Sequence, residues 1–342
     1  MSQNKKNALK EIQLKLLQEQ FCSLMKVYPD YTVSNIAEQW LLREKMVVKE
    51  STYAKYRYNL DNHILPQLGT LQITELNSAL INMYIQHLKE GGRSDGRGGL
   101  SAKYVRDLYT ILRGIIHYAE LEYNFPNAAK NCRMPPKEET KNRILSKGEQ
   151  KKLESFVKAD IKDRKKFGIL LGLYTGLRLG EICALQWRDI DLQEGLINVS
   201  RTIQRIQNPN REETPRTLLI ISSPKSRSSV RSIPLPSFLQ RNIKELECPE
   251  KDTAYFLTNQ PDQVIEPRNY QYHFKRYMKE LDMEQVHFHT LRHTFATRGI
   301  ESGMDMKSLS EILGHTDINI TMNTYVHSSL EEKRRQIEKI CL

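Results

Sequence analysis

Six residues in the C-terminal half of this 342-residue chain carry side chains suited to metal-free phosphoryl transfer on a diester. They are Arg178, Lys225, His289, Arg292, His315 and Tyr325. Guanidinium groups clamp non-bridging phosphate oxygens in pairs and hold the charge that builds in a pentacoordinate transition state. A tyrosine that loses its proton forms a covalent intermediate. A nearby histidine accepts or orients that proton, and a lysine on a mobile turn protonates the leaving oxygen. No set of carboxylates has the spacing of a two-metal nuclease site, so neither a metal nor any other cofactor is expected.

Each residue sits in a short motif that is ordinary alone. Arg178 lies in Thr175-Gly176-Leu177-Arg178-Leu179-Gly180-Glu181, where Glu181 can pair with it and a structural ion pair is the favoured reading of that stretch by itself. Lys225 lies in the basic turn Ser222-Ser223-Pro224-Lys225-Ser226-Arg227, a natural place for a solvated lysine. His289 and Arg292 are three apart in His289-Thr290-Leu291-Arg292-His293 and share a helix face. His315 follows Leu313-Gly314, where a histidine often caps a helix, and Tyr325 closes Thr321-Met322-Asn323-Thr324-Tyr325 among fifteen other tyrosines. The order and spacing of the set are far more specific than any member.

That ordered set resembles the catalytic domain of the tyrosine recombinases, or phage-type integrases, over roughly residues 145–335. The TGLR-LGE stretch matches the first arginine box, which implies Arg178 as catalytic and Glu181 as an acidic residue supporting it. The hairpin lysine falls on Lys225. The H-x-x-R box is His289 to Arg292, continued by His293-Thr294-Phe295-Ala296-Thr297. The LGH box implies His315, and the nucleophile, ten residues on, is Tyr325.

The resemblance implies a 3′-phosphotyrosyl intermediate, resealed by the 5′-hydroxyl of a partner strand without ATP. It implies two domains closed as a clamp on duplex DNA attachment sites, and four protomers in the synapse. It also leaves room for an excision (directionality) factor and a host DNA-bending protein. Two other readings differ in outcome. A type IB topoisomerase would relax plasmids without recombining them, and a regulator with a dead catalytic domain would not trap a suicide substrate. The long segment 200–230 and the extra N-terminal helix favour the integrase of a phage or integrative mobile element over a chromosome-dimer resolvase.

The elements that must position these residues are mostly helical. In residues 1–30 an amphipathic helix is expected over 5–27, with Leu9, Ile12, Leu16, Leu17, Phe21 and Leu24 on one face. Residues 31–128 read as a helical bundle that resembles the SAM-like core-binding domain of the family. Its first helix is expected from about Thr32 to Met46, and its second from near Ser51 to before Pro66 and Gly69. The third is expected to start with Thr74 as its cap, and the fourth is capped by Ser101 and carries Val105, Leu108, Ile111, Leu112, Ile115, Ile116 and Ala119.

The second helix interleaves Tyr53, Lys55, Tyr56, Arg57 and Tyr58. This suits phosphate and sugar contact, and suits a tyrosine core stripe with solvated bases equally well. Residues 129–145 form a linker whose basic stretch, including Lys137, Lys141 and Arg143, attracts a phosphate backbone. In the catalytic domain, 146–335, Ser146 and Glu149 form a capping box, a helix is expected over Phe167 to Tyr174, and another runs through Trp187. Strand-like runs occupy Leu196–Arg205, Thr217–Ser222 and Arg231–Leu235, and the pattern after residue 237 is helical to the end. The fold class is therefore mainly α with a small antiparallel sheet. Within the tail, Ser328 to Leu342 reads as a helix that docks on a neighbouring protomer or packs on its own domain; the separate C-terminal segment is set at 336–342.

Composition agrees with a polyanionic partner. Lys and Arg number 52 against 41 Asp and Glu, a formal charge of +11. The five cysteines, Cys22, Cys132, Cys183, Cys248 and Cys341, are odd in number and scattered, as expected of reduced thiols in the cytoplasm. No membrane-spanning apolar run or signal core is present, so no membrane partner is expected.

Overall fold

The computed structural model describes residues 30–93, 95–136, 142–210, 213–222 and 230–325, with 334, 337 and 338; the side chains of 320 and 323–325 are outside that description. The expected N-terminal helix, Lys137, Lys141, Lys225 and most of the C-terminal tail lie outside the described residues. The chain divides into two compact units, Met1–Glu139 with Gln207–Arg216, and Thr140–Ile206 with Thr217–Leu342.

The first unit is a helical bundle. Helix α1 (Val33–Lys45) starts where Thr32 and Asn35 cap each other, and buries Val33, Ile36, Ala37, Trp40 and Leu41. Helix α2 (Glu50–Asn59) does not stop before Pro66. It widens into a π turn over Leu60–Ile64 and continues as α3 (Leu65–Leu68), with Pro66 in the first turn. The wider turn moves the chain off the register in which a proline ring meets the carbonyl four residues back, so the coil survives a residue that normally ends it.

The third helix is also shifted. Ile73–Glu75 is a 3-10 turn, and α4 (Ser78–Gly91) is capped by Asn77, whose side chain accepts from the Leu80 amide at 3.0 Å. Asn is a stronger cap than Thr and sits next to the apolar face of Ile81, Tyr84, Ile85 and Leu88. Helix α5 (Ala102–Tyr123) begins at its Ser101 cap and buries every apolar residue expected of it. Asn124 ends it in the left-handed region at φ 58°, and Phe125 turns into the core.

The second unit opens with α6 (Lys147–Lys158), capped by the Ser146–Glu149 box. Helix α7 (Arg164–Thr175) is buried on nearly all sides, and the short α8 (Leu179–Ala184) follows. The expected strand Leu196–Arg205 is two strands. After β1 (Ile190–Asp191), β2 (Leu196–Val199) joins the antiparallel sheet β1-β2-β5, with β5 (Arg231–Pro234) at its other edge. Strand β3 (Thr202–Gln207) instead pairs with β4 (Thr217–Ser222) in a separate ribbon. The break falls at Arg201, which binds both oxygens of the buried Asp189 carboxylate at 2.5–2.6 Å.

Past residue 237 the chain is not continuously helical. Between α9 (Ser237–Lys244) and α10 (Pro267–Glu280) it runs through turns containing Pro249 and Pro261, held by a bridge between Gln186 and Tyr255. Helices α11 (Phe288–Glu301), α12 (Met306–Leu313) and α13 (Ile318–Tyr325) complete the unit. One core joins α6 to α11 through Leu153, Phe167, Leu171, Phe256, Tyr270, Phe274 and Leu291. Among the described residues no helix is long and apolar enough to cross a membrane.

Candidate active site

Three turns converge in the second unit. The first joins α7 to α8. Gly176 ends α7 at φ 65°, where its own amide bonds the Gly172 carbonyl, and any side chain would strain this left-handed position. The backbone amide of Arg178 then donates to Glu181 Oε2 at 2.9 Å, which is the return arm of a capping box and fixes Glu181 at the third position of α8. The second is the start of α11, which places Arg292 one turn in and 2% exposed. The third is the end of α12. Gly314 closes it at φ 64°, and the His315 amide bonds back to the Ser310 carbonyl at 3.0 Å.

The end of α12 organises the cations. Three successive carbonyls there each accept from a different arginine. Arg231 Nε bonds Ile312 O at 2.5 Å, Arg292 Nη2 bonds Leu313 O at 2.6 Å, and Arg178 Nη2 reaches Gly314 O at 3.3 Å. A helix C-terminus leaves these oxygens without intrahelical donors and carries partial negative charge, so it is a natural seat for guanidinium groups. Arg292 also bonds the Gly176 carbonyl at 2.7 Å, which links the first turn to the third.

Glu181 supplies the balancing charge. Its carboxylate accepts from Arg178 Nη1 at 2.8 Å and from Arg231 Nη1 and Nη2 at 3.1 and 2.9 Å. Burial alone would raise its pKa. The hydrogen bonds and charge of Arg231, with the charge of Arg178, outweigh that and hold it below the ordinary carboxylate value. The pairing of Arg178 with Glu181 expected from the sequence is present, and Arg178 still keeps about a third of its side chain open to solvent.

The histidines are neutral. His315 Nε2 stands 2.9 Å from Arg292 Nη2, and its Nδ1 stands 2.7 Å from the Thr321 hydroxyl. Arginine only donates, so Nε2 is the acceptor and the ring proton lies on Nδ1, donated to Thr321. Desolvation, then the charges of Arg292, Arg178 and Arg231, push the His315 pKa down to about 4. Desolvation and the same two arginines, Arg292 and Arg178, lower His289. His289 meets the His293 ring edge-on at 4.5 Å, and desolvation together with His289 and Arg292 takes His293 down to about 4.

Arg178, Glu181, Arg292 and His315 are thus joined in one bonded network, with His289 on the same helix as Arg292. Tyr325 is the last residue of α13, and its side chain, like Lys225, is outside the description. Two residues in the network were not singled out from the sequence. Arg231 lies fifty positions from Glu181 and opens an unremarkable strand, so no local spacing signals it. Thr321 was legible in principle, since it stands four residues before Tyr325 on the same helix face.

The proposed DNA contacts of the first unit are engaged internally. Arg57 binds both Glu38 oxygens, at 2.5 and 2.6 Å, and Asp61 at 3.3 Å. Lys55 pairs with Asp107 at 2.7 Å, and Tyr53 packs on the bundle core under the Lys45 ammonium. In the second unit Arg143 pairs with Glu149 at 2.6 Å, next to Leu145, whose amide donates to Thr294 Oγ1 at 2.9 Å.

Residues 143–332 match the model of the phage integrase family, and residues 32–89 match the N-terminal SAM-like domain of phage integrases. The first match alone covers more than half of the chain. The chain belongs to the phage integrase family. Among its relatives, a XerC-like tyrosine recombinase of Caldanaerobacter subterraneus is 28% identical over 336 residues, covering 92% of this chain and 83% of that protein. The transposase of transposon Tn916 from Enterococcus faecalis is 25% identical over 213 residues, 58% of this chain and 51% of that protein. The fold is that of the Tn1549 transposon integrase solved with transposon right end DNA, at TM-score 0.74 and 23% identity over 91% of this chain and 100% of that one. A lambda integrase tetramer bound to a Holliday junction is similar at TM-score 0.60 and 16% identity, over 87% and 78% of the two chains.

Proposed function

We propose that this phage integrase family member is a site-specific DNA recombinase of a phage or integrative mobile element, which cuts and rejoins duplex DNA through Tyr325. The observation that carries the reading is the set of guanidinium groups gathered on the end of α12, in the same unit as the short helix α13 that ends at Tyr325. Arg178 and Arg292 bind the non-bridging oxygens of the scissile phosphate, and His315 adds a hydrogen bond to it. The Tyr325 oxygen attacks phosphorus while the bond to the 5′-oxygen breaks. His289 takes or orients the phenolic proton, and Lys225 gives a proton to the departing 5′-oxygen. The 5′-hydroxyl of a partner strand then attacks the 3′-phosphotyrosine, reforming a phosphodiester and releasing Tyr325.

Substrate and assembly follow from the same reading. Duplex attachment sites are the substrate, with Lys137, Lys141 and Arg143 on the phosphate backbone and Tyr53, Lys55 and Arg57 in the first unit exchanging their carboxylate partners for phosphates. Four protomers form the synapse, as in the lambda integrase assembly on a Holliday junction. An excision factor and a host DNA-bending protein join it where the attachment sites demand them, and the work is done in the cytoplasm. The length of the match to the XerC-like relative supports a second reading, a chromosomal resolvase; a repeated attachment core flanking the gene separates the two.

The deciding experiment uses a suicide substrate nicked beside the cleavage point. Wild-type protein should yield a covalent protein–DNA adduct that survives denaturation. Tyr325→Phe should bind the same DNA with unchanged affinity and yield none. An adduct that persists in Tyr325→Phe would overturn the assignment of the nucleophile.

A further inference from the structure

The hydroxyl of Thr321 has no part in the scheme above, yet it is bonded to a ring that has. Thr321 is fully buried, and its Oγ1 lies 2.7 Å from His315 Nδ1. The opposite nitrogen of the same ring lies 2.9 Å from Arg292 Nη2. One ring is therefore held at both ends, by an arginine of α11 and by a threonine of α13. Helix α13 is short and ends at Tyr325, one turn beyond Thr321.

We propose that Thr321 is a positioning residue for strand cleavage: its buried hydroxyl holds the His315 ring with Nε2 turned toward the arginine cluster, and ties that ring to the helix that ends at Tyr325. A hydroxyl suits the task because it both donates and accepts. In the arrangement seen here it accepts from Nδ1–H while Nε2 accepts from Arg292. When Nε2 carries the proton and donates to a phosphate oxygen, the same hydroxyl donates to the bare Nδ1. Between the two states the ring gives up its Nδ1 proton to water and takes one from water at Nε2, Arg292 passes its bond from Nε2 to the phosphate, and the hydroxyl hydrogen turns, while the ring keeps one orientation. Valine has nearly the same shape and offers neither bond, so it leaves one imidazole nitrogen buried without a partner. The helix holding Tyr325 and the ring that faces the phosphate then lose their link.

This inference rests on the role given above to His315, so the test separates the two. Single-turnover cleavage of the suicide substrate is measured with the full chain at saturating protein, alongside DNA affinity. Thr321→Val should cleave about tenfold more slowly, the effect of one lost buried hydrogen bond, with DNA affinity unchanged. Thr321→Ser, which keeps the hydroxyl, should stay within about threefold of wild type, allowing for the lost methyl. In a His315→Ala background, Thr321→Val should add no further loss, because residues acting through one another are not additive. Equal loss from Thr321→Val in both backgrounds overturns the proposal and leaves the role of His315 standing, as does a Thr321→Ser variant as slow as Thr321→Val. A His315→Ala variant that cleaves at the wild-type rate overturns the role of His315 itself.

Discussion

Replacing Glu181 with glutamine tests whether the arginine cluster is held together by a buried carboxylate. Glu181 and Arg231 are 3% and 6% exposed at their side chains, so water cannot stand in for either partner. The carboxylate accepts four donors, the Arg178 amide, Arg178 Nη1, and Nη1 and Nη2 of Arg231. Glutamine keeps one acceptor oxygen and turns an NH2 group toward the others, so about two charge-assisted bonds are lost, at roughly 1.5–3 kcal/mol each. The share belonging to Arg178 is discounted, because that side chain is 36% exposed and water can replace its partner. Loss of one partner from a buried pair then leaves a destabilisation of about 3–5 kcal/mol. Urea unfolding followed by tryptophan fluorescence should show it as a midpoint lower by about 1–2 M, taking a denaturant slope of about 3 kcal/mol per M. Cleavage should fall as well, since Arg178 loses the anchor that aims it. A midpoint shift below about 0.3 M, roughly 1 kcal/mol on the same slope, would refute the reasoning, because a carboxylate that weakly coupled is not what gathers the arginines.

Two further outcomes follow from the same network. Arg292→Lys should retain DNA binding and lose about 10²–10³-fold in single-turnover cleavage, because one ammonium cannot bond the Gly176 and Leu313 carbonyls and still present a planar fork to phosphate. Without DNA, stability should fall as pH drops from 6.5 toward about 4, read from thermal melts in matched ionic strength: His293 and His315 are held neutral in the folded state down to about 4, the unfolded chain takes up their protons from 6.5 downward, and protonation therefore favours unfolding in that window.

The sequence carried most of the helical framework because its signals are local. Ser101 and Ser146 were readable as caps and Thr32 as a helix start, and the apolar stripe of α5 emerged buried as its spacing required. It misled where a local rule was overridden by the next few residues. Pro66 ends most helices, but a π turn ahead of it let the coil continue, and Asn77 displaced Thr74 as the cap of α4. The split of the expected strand at Arg201 depended on a partner, Asp189, whose proximity no period-two pattern encodes. The site shows the same division. Motif order led to Arg178, Glu181, Arg292 and His315, which the fold joins in one network. Arg231 was out of reach because its value lies wholly in a carboxylate fifty residues away and a helix end eighty residues on.

Bringing three guanidiniums together before any phosphate arrives is an electrostatic problem, and the way the fold solves it explains the glycine in the LGH motif. Like charges at such distances repel, so an empty site needs negative charge that does not occupy the place of the substrate. The network uses two sources. Glu181 lies beneath the arginines with its carboxylate fully taken up, and the carbonyls of Ile312, Leu313 and Gly314 approach from the end of α12. Carbonyl dipoles satisfy donors without adding a formal charge that would repel phosphate, and they are already oriented before it binds, which is the condition for stabilising a transition state at little reorganisation cost. The carbonyls point toward the arginines only because α12 stops in a left-handed turn at Gly314, where an added Cβ would stand 3.1 Å from the Arg231 side chain. The glycine is therefore favoured by its φ of 64°, and a side chain there would also press on the cation it helps to hold.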